Sequence, residues 1–371
     1  MLSENLSEAQ RRQLYYCDRL PARIVHLVRA SADHSPTPMK FGQRLVAHPC
    51  PVANWAAFFP KAVVMGKRLL AAEMFDFIQV QEPYLAGAIG ACLSHISGVP
   101  LIAGLFSDEI NNPVWLRERK LNRVANVVGK YVLRHAIATR TDSRAVADRV
   151  AGLGCRNLTH IPFLITDSES FLERGESVGA IRTELLAGLS GPLMLAVNRL
   201  EPEKNVPLML CALASASRQL PGLVLAIAGS GRLESHLRKE AERVLPGRVR
   251  WLGLVPSERM ANYYHAADLM LISSHRESAA RVLYESLLSG TPVISTATAG
   301  ANEVIEDRVT GRIVPVGDEQ AFASAVVEMA RDTARLIEMG KLGRKQMRQK
   351  VTADAVVEQL RKFYRVAMVP V

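Results

Sequence analysis

Short apolar runs alternate along this chain with longer stretches in which apolar residues return every three or four positions. The runs at 23–29 (RIVHLVR), 75–80 (FDFIQV) and 100–105 (PLIAGL) predict strands, with weaker ones at 43–47, 136–139 and 159–161. Helical periodicity predicts helices over 61–73, 85–96 and 113–136, and one running to residue 153 from Asp142 as N-cap. The segment 166–190 is polar and without sustained alternation, so it reads as a linker with a short helix at 180–188. Beyond it the pattern sharpens. Strands are expected at 192–197, 223–228, 249–251, 268–272, 292–295 and 312–315. Helices are expected at about 204–219, 231–243, 257–266, 279–289 and 318–331, and a last one at 351–368.

Strand–helix alternation at this spacing implies α/β architecture, with parallel sheets covered on both faces. A length of 371 residues suits two such domains. The expected organisation is two doubly wound, Rossmann-like domains facing across a cleft: residues 1–175, residues 176–350, and a C-terminal helix within 351–371 that crosses back to the first. Ligands are then expected at the carboxyl ends of strands, in the cleft.

Composition narrows the function classes. Hydrophobic residues make up 49% and charged residues 22%, which excludes a disordered or fibrous chain. No run of 18 apolar residues suggests a spanning helix, and the N-terminus lacks the apolar h-region of a secretory signal. Cys17, Cys50, Cys92, Cys155 and Cys211 show no CxxC or Cys/His spacing, so free thiols in a reducing cytoplasm are expected and a metal site is not. The net charge of +10 favours anionic partners. Much of it falls in 113–140, where seven basic residues interleave with Trp115, Leu121, Val124, Val127, Val128, Val132 and Leu133. That is a basic amphipathic helix. It is either a solvated face of a core helix or a surface for anionic lipid. No aromatic platform accompanies the charge, so nucleic acid is not an expected partner.

The densest chemistry lies in 274–285 (SHRESAARVLYE). Glu277 falls in the loop after a strand and Glu285 about two turns into a helix expected to start near Ala279. The helix N-terminus between them offers free N–H groups and a positive dipole end, which suits a diphosphate. Carboxylates accept hydrogen bonds from vicinal hydroxyls, so a nucleotide sugar would fit. Upstream, 197–205 (VNRLEPEKN) places Arg199 and Lys204 at a strand exit, where cations would meet phosphate. Gly229 and Gly231 follow the next strand, where a tight turn or close backbone approach is permitted. Then come 251–256 (WLGLVP), 289–294 (SGTPVI) and 299–305 (AGANEVI), with Gly311 closing the series.

This order of motifs resembles the retaining GT-B glycosyltransferases with the Glu-x7-Glu signature (family 4, group 1). The resemblance is strong over 193–318, weaker over 75–171 and poor before residue 70. It implies an enzyme that moves a sugar from a nucleoside-diphosphate sugar, UDP- or GDP-linked, to a hydroxyl acceptor, with retention and without an essential metal or other cofactor. It implies roles by position. Arg199 and Lys204 would bind the diphosphate and stabilise the leaving group. Glu277 would hold donor-sugar hydroxyls and Glu285 the ribose. Backbone N–H groups around Ser278, Ala279 and Leu283 would support the phosphates, Gly229 and Gly231 would belong to the donor site, and the segment around Leu254 and Val255 would contact the base. Three departures stand out, the first being that no glycine pair follows the first strand, where the loop 31–41 has only Gly42 nearby. Ser278-Ala279-Ala280 replaces the usual Gly-Phe-Gly, and Phe106-Ser107 replaces an acceptor-side His, leaving Asp108 either to orient the acceptor or to act as a helix N-cap.

The expected partners are the nucleotide sugar, a lipid-linked or cell-envelope glycan as acceptor, and an anionic membrane surface through 113–136. The expected location is the cytoplasm, peripheral at the inner face of the membrane. Two rivals are a non-catalytic GT-B partner subunit and a sugar-nucleotide epimerase. His275, beside Glu277, reads as a loop residue. Arg281 either touches phosphate or flanks the helix, and Glu82 either contacts the acceptor or caps a helix.

Overall fold

A computed structural model describes residues 8–20, 22–165, 168–351 and 353–368. Residues 1–7 of the N-terminal segment lie outside the described residues. The chain divides into two compact units: residues 1–166 with 353–371, and residues 167–352.

The first unit runs α1 (Glu8–Arg19), β1 (Ile24–Ala30), β2 (Met39–Phe41), β3 (Leu45–Pro51), α2 (Trp55–Ala72), β4 (Ile78–Val80), α3 (Leu85–Ser97), β5 (Leu101–Leu105), α4 (Pro113–Glu118), α5 (Lys120–His135), β6 (Ala138–Thr141), α6 (Arg144–Ala151) and β7 (Leu158–His160). Its strands form two sheets. One is parallel, in the order β4-β5-β6-β7; the other is mixed, β1-β3-β2, with β2 antiparallel to β3. The three-residue β2 was not expected. It is too short to carry an alternation signal and is set by the turn through Gly42, whose φ of +61° a side chain would resist.

The C-terminal helix Ala353–Met368 packs on this unit. Its Val356, Val357, Leu360 and Phe363 join Tyr16 and Leu20 of α1 and Ile102, Ala138, Ile161 and Leu164 in one core. The Tyr364 ring stacks on Phe77, and its hydroxyl donates to Gln79 at 2.9 Å.

Three local expectations need correction here. The basic stretch is two helices, not one, because Arg119 adopts an extended conformation between α4 and α5. The cap of α6 is Ser143, whose hydroxyl accepts from the Val146 amide, not Asp142. Helix α2 starts at Trp55, ahead of Pro60. Asn54 caps it, and Trp55 packs edge-on against Phe58.

The second unit runs α7 (Ser168–Leu172), α8 (Val178–Leu186), β8 (Leu193–Val197), α9 (Val206–Ser217), β9 (Val224–Ala228), α10 (Glu234–Val244), β10 (Val249–Gly253), α11 (Ser257–Ala266), β11 (Leu269–Ile272), α12 (Arg281–Leu288), β12 (Val293–Thr296), α13 (Ala299–Val304), β13 (Gly311–Val314), α14 (Glu319–Ala330) and α15 (Thr333–Lys350). The segment expected as linker thus carries two helices. Buried Phe171, Val178, Ile181 and Leu185 anchor them within this unit.

Six parallel strands lie in the order β10-β9-β8-β11-β12-β13. Runs such as Leu193–Val197 and Val224–Ala228 are apolar on both faces because helices cover both sides of the sheet. Met209, Leu210 and Leu213 of α9 and Phe322 and Val326 of α14 fill one side with no exposed area. Each such side chain contributes about 1.5–3 kcal/mol by leaving water. The strand order reverses between β8 and β11. At such a point the loops leaving the two strands diverge and open a crevice beyond their carboxyl ends.

Candidate active site

The loops leaving β8 and β11 carry the sequence's main candidates. Residues 198–205 follow β8, and a 3₁₀ turn, Pro202–Lys204, brings Lys204 inward. Residues 273–280 follow β11. Lys204 Nζ donates to Glu277 Oε1, and both side chains are largely shielded from solvent. The Ser274 hydroxyl donates to the same carboxylate oxygen at 2.9 Å. Backbone bonds tie the loops together. The Ser273 hydroxyl donates to the Lys204 carbonyl at 2.9 Å, and the His275 amide donates to the Glu203 carbonyl at 2.8 Å. His275 itself is exposed, as a loop residue would be.

Glycines hold this loop system close. Gly229 has φ of +133°, and a methyl there would run into the Asn198 carbonyl; one at Gly231 would meet the Leu200 carbonyl. Both glycines therefore seat the 198–200 backbone against the exit of β9. Gly300 approaches Ser278 and Ala280 in the same way, and its amide donates to the Glu277 carbonyl at 3.1 Å.

Arg199 is exposed and donates to Glu203 Oε1 at 2.9 Å. Ser278 and Ala280 are buried and Ala279 is half-buried. Helix α12 begins at Arg281, two residues later than expected, and no side chain caps it. The Leu283 amide is engaged by the Ala280 carbonyl at 2.9 Å. At the exit of β10, Leu254 is exposed and Val255 is half-buried.

Glu285 lies one turn into α12 rather than two, and only 7% of it is exposed. Arg281 Nε pairs with Glu285 Oε1 at 2.6 Å, and the buried Tyr264 hydroxyl donates to Oε2 at 2.9 Å. Burial, reinforced by the Glu285 charge, pushes the Tyr264 phenol well above its ordinary pKa. Among the described residues, four carboxylate–cation pairs lie at this end of the sheet: 199 with 203, 204 with 277, 281 with 285, and 232 with 201. Sequence reasoning passed over Ser274 and Tyr264. The adjacent serines after β11 were a signal for the first. The second sits 21 positions from its partner, and only the fold brings them together.

In the first unit, Asp108 is buried. It pairs with Arg149 and accepts from Asn112 Nδ2 at 3.2 Å. It caps no helix; the cap of α4 is Asn112, whose Oδ1 accepts from the Val114 amide at 2.9 Å. Glu82 acts as a cap at the start of α3, accepting from the Tyr84 and Ala86 amides at 2.6 and 2.5 Å, and burial raises its pKa. Among the described residues, no group of three or more His, Cys, Asp or Glu is placed to share a metal ion.

Comparison with known proteins bears on the fold and the family. Residues 179–346 match the family model of glycosyl transferases group 1. The lipopolysaccharide core biosynthesis glycosyltransferase LpsE of Rhizobium meliloti (strain 1021) is 26% identical over 62% of this chain and 66% of its own length. Across such curated relatives the matched stretch covers between 34% and 72% of their lengths. Among solved structures, sucrose-phosphate synthase of Thermosynechococcus elongatus superposes with a TM-score of 0.83 at 21% identity, over 95% of this chain and 91% of that one. Anabaena HepE in complex with UDP-glucose superposes with a TM-score of 0.72 at 22% identity, over 85% of each chain. With its two Rossmann-like sheets and a family match over 179–346 that contains Lys204, Glu277 and Glu285, this chain is a GT-B-fold protein related to the group 1 glycosyl transferases.

Proposed function

We propose that the chain is a retaining glycosyltransferase that moves a sugar from a nucleoside-diphosphate sugar to a hydroxyl of a lipid-linked or cell-envelope glycan. The observation that carries this is the Lys204–Glu277 pair, beyond the carboxyl ends of β8 and β11 where the strand order reverses. Anabaena HepE holds UDP-glucose in its crystal, and a UDP-sugar is the donor carried over to this chain.

The physical logic runs through charge. The departing diphosphate gains negative charge in the transition state. Lys204, Arg199 and the backbone and dipole at the start of α12 would meet that charge and bind it better than the ground state. Glu277 would then exchange part of its contact with Lys204 for donor-sugar hydroxyls. In a same-face reaction the leaving phosphate takes the acceptor proton, so the chain need not supply a strong base. Arg199, Lys204 and Glu277 are the proposed catalytic residues. Gly229 and Gly231 shape the donor loop, Ser278, Ala279 and Leu283 border the phosphates, Val255 borders the base, and Glu285 serves the ribose from its place beside Arg281. Asp108 is proposed to position the acceptor side through Arg149. The reaction is proposed to need no metal.

The acceptor side draws on α4 and α5. Val114, Leu121, Val124, Val127 and Tyr131 are exposed, with Arg117, Lys120, Arg123, Lys130 and Arg134 interleaved. Such a face suits an anionic lipid surface, and the proposed location is peripheral, at the cytoplasmic side of a membrane. Among the described residues, no helix is long and apolar enough to cross one.

The test is to incubate the protein with UDP-glucose, UDP-N-acetylglucosamine and GDP-mannose in EDTA, with and without glycolipid acceptor. Nucleotide release and product mass are then followed. One donor should be turned over in EDTA, and Lys204→Ala should lower turnover about 100-fold or more, the scale for losing one electrostatic stabiliser. Donor binding without turnover would support the partner-subunit reading, and an isomerised donor the epimerase.

A further inference from the structure

The second unit has another concavity, at the end of its sheet away from Lys204 and Glu277. A groove of about 1070 Å³ is bounded by the residues leading into β8, β11 and β12 and by one side of α15. All six strands run parallel, so this is the amino end of the sheet. A five-residue strand sets the two ends roughly 16 Å apart.

The groove is strongly basic. Lys341, Arg344, Lys345 and Arg348 recur at i, i+3, i+4 and i+7 and share one face of α15, and Arg174 adds to them from the segment after α7. Among the described lining residues one carboxylate is present, Asp268, and it is already committed. Arg182 donates to its Oδ2 at 2.9 Å and the Leu193 amide at 2.7 Å. No ion pair joins the other five cations to an acid among the described residues.

One member of the cluster, Arg344, is set into the fold, while Arg174, Lys341, Lys345 and Arg348 are exposed around it. Arg344 Nε and His265 Nε2 are buried atoms without a hydrogen-bond partner. The rest of the Arg344 guanidinium is fixed by donation to the Ser289 carbonyl at 2.5 Å, and a methyl on Gly290 would come within 2.8 Å of it. Burial lowers the His265 pKa, and Arg344 and Arg174 push it the same way. A merely solvated basic face would spread its guanidinium groups into water. Here one is partly buried, beside the His265 imidazole, among like charges whose mutual repulsion a bound anion would relieve.

We propose that this groove binds a small phosphate-bearing anion with at least two negative charges, at a site separate from the candidate active site. Its concave shape suits a small ligand that reaches Arg344 at the floor while Lys341, Lys345 and Arg348 close over it from α15. The proposal is independent of the catalytic assignment, since none of these residues takes part in it.

Pyrophosphate is the probe, read by calorimetry and thermal shift on the full chain. The wild type, Lys204→Gln and the double variant Lys345→Gln/Arg348→Gln are compared. Lys345 and Arg348 are exposed, so their replacement leaves the core untouched. Binding should persist in Lys204→Gln and weaken about tenfold or more in the double variant. In this arm three results overturn the proposal: no binding to the wild type, binding lost in Lys204→Gln but kept in the double variant, or equal binding of sulfate and pyrophosphate in all three proteins. Vesicles containing phosphatidylglycerol form the other arm. If they pellet the wild type but not the double variant, and pyrophosphate does not compete, the groove serves a lipid surface and the small-anion site is refuted.

Discussion

Glu285 and Glu277 have the same chemistry and different surroundings. Glu277 faces Lys204 and Ser274 from a loop; Glu285 is enclosed by Arg281 and Tyr264. Removing the Tyr264 hydroxyl takes away one hydrogen bond to a charged acceptor. Tyr264→Phe should therefore cost about 1.5–3 kcal/mol in denaturant unfolding. Glu285→Ala should cost more, about 3–5 kcal/mol, because it strands the partly buried Arg281. If both variants unfold like the wild type, the buried network has no energetic weight. Gly229 makes a separate claim at this scale. An alanine there would sit at φ of +133° and collide with the Asn198 carbonyl, so Gly229→Ala should lose about 1–3 kcal/mol through backbone strain. It should also weaken nucleotide binding by shifting Arg199 and Lys204. A Gly229→Ala protein with unchanged stability and unchanged donor affinity would remove that glycine from the site's framework.

Element by element, the clearest expectations were the strands of the second unit. Their apolar runs are continuous because helices cover both faces, and neighbouring loops are short enough to frame each run. Boundaries were less legible. Whether Asp142 or Ser143 caps α6, and whether 113–136 holds one helix or two, depends on backbone angles at single residues that several sequences would permit. The same stretch shows what periodicity leaves open. It gives a basic, apolar helix, but only exposure distinguishes the buried Val132 and Leu133 from the outward Leu121, Val124 and Val127. If those outward residues enter a lipid surface, vesicles with anionic lipid should sediment the protein at low salt. Leu121→Ser/Val127→Ser should reduce that binding, and about 0.5 M salt should largely reverse it, since the Debye length is then only a few ångströms. Binding that ignores both charge and these two residues would exclude this face.

Across the whole molecule, the C-terminal helix Ala353–Met368 carries the most consequential long-range packing. Chain order places it after the second unit, yet its Val356, Leu360 and Phe363 complete the core of the first. A chain ending at residue 352 should therefore expose that core. Limited proteolysis should cut the first unit rapidly while 167–352 stays protected, and equal protection of both units would contradict the packing. The sequence by itself determined the strand–helix alternation, the two-unit scale and the residues that carry the candidate chemistry, because apolar periodicity, strand exits and motif spacing are local properties. Only the tertiary structure decided that β8 and β11 lie side by side at the reversal of strand order, which brings Lys204 to Glu277 across 73 positions. It also decided that Tyr264 reaches Glu285, and that the basic face of α15 closes over Arg174 and His265. These pairings depend on which strands become neighbours. That choice is made by burying the largest apolar area over the whole sheet, and no window of local sequence contains it.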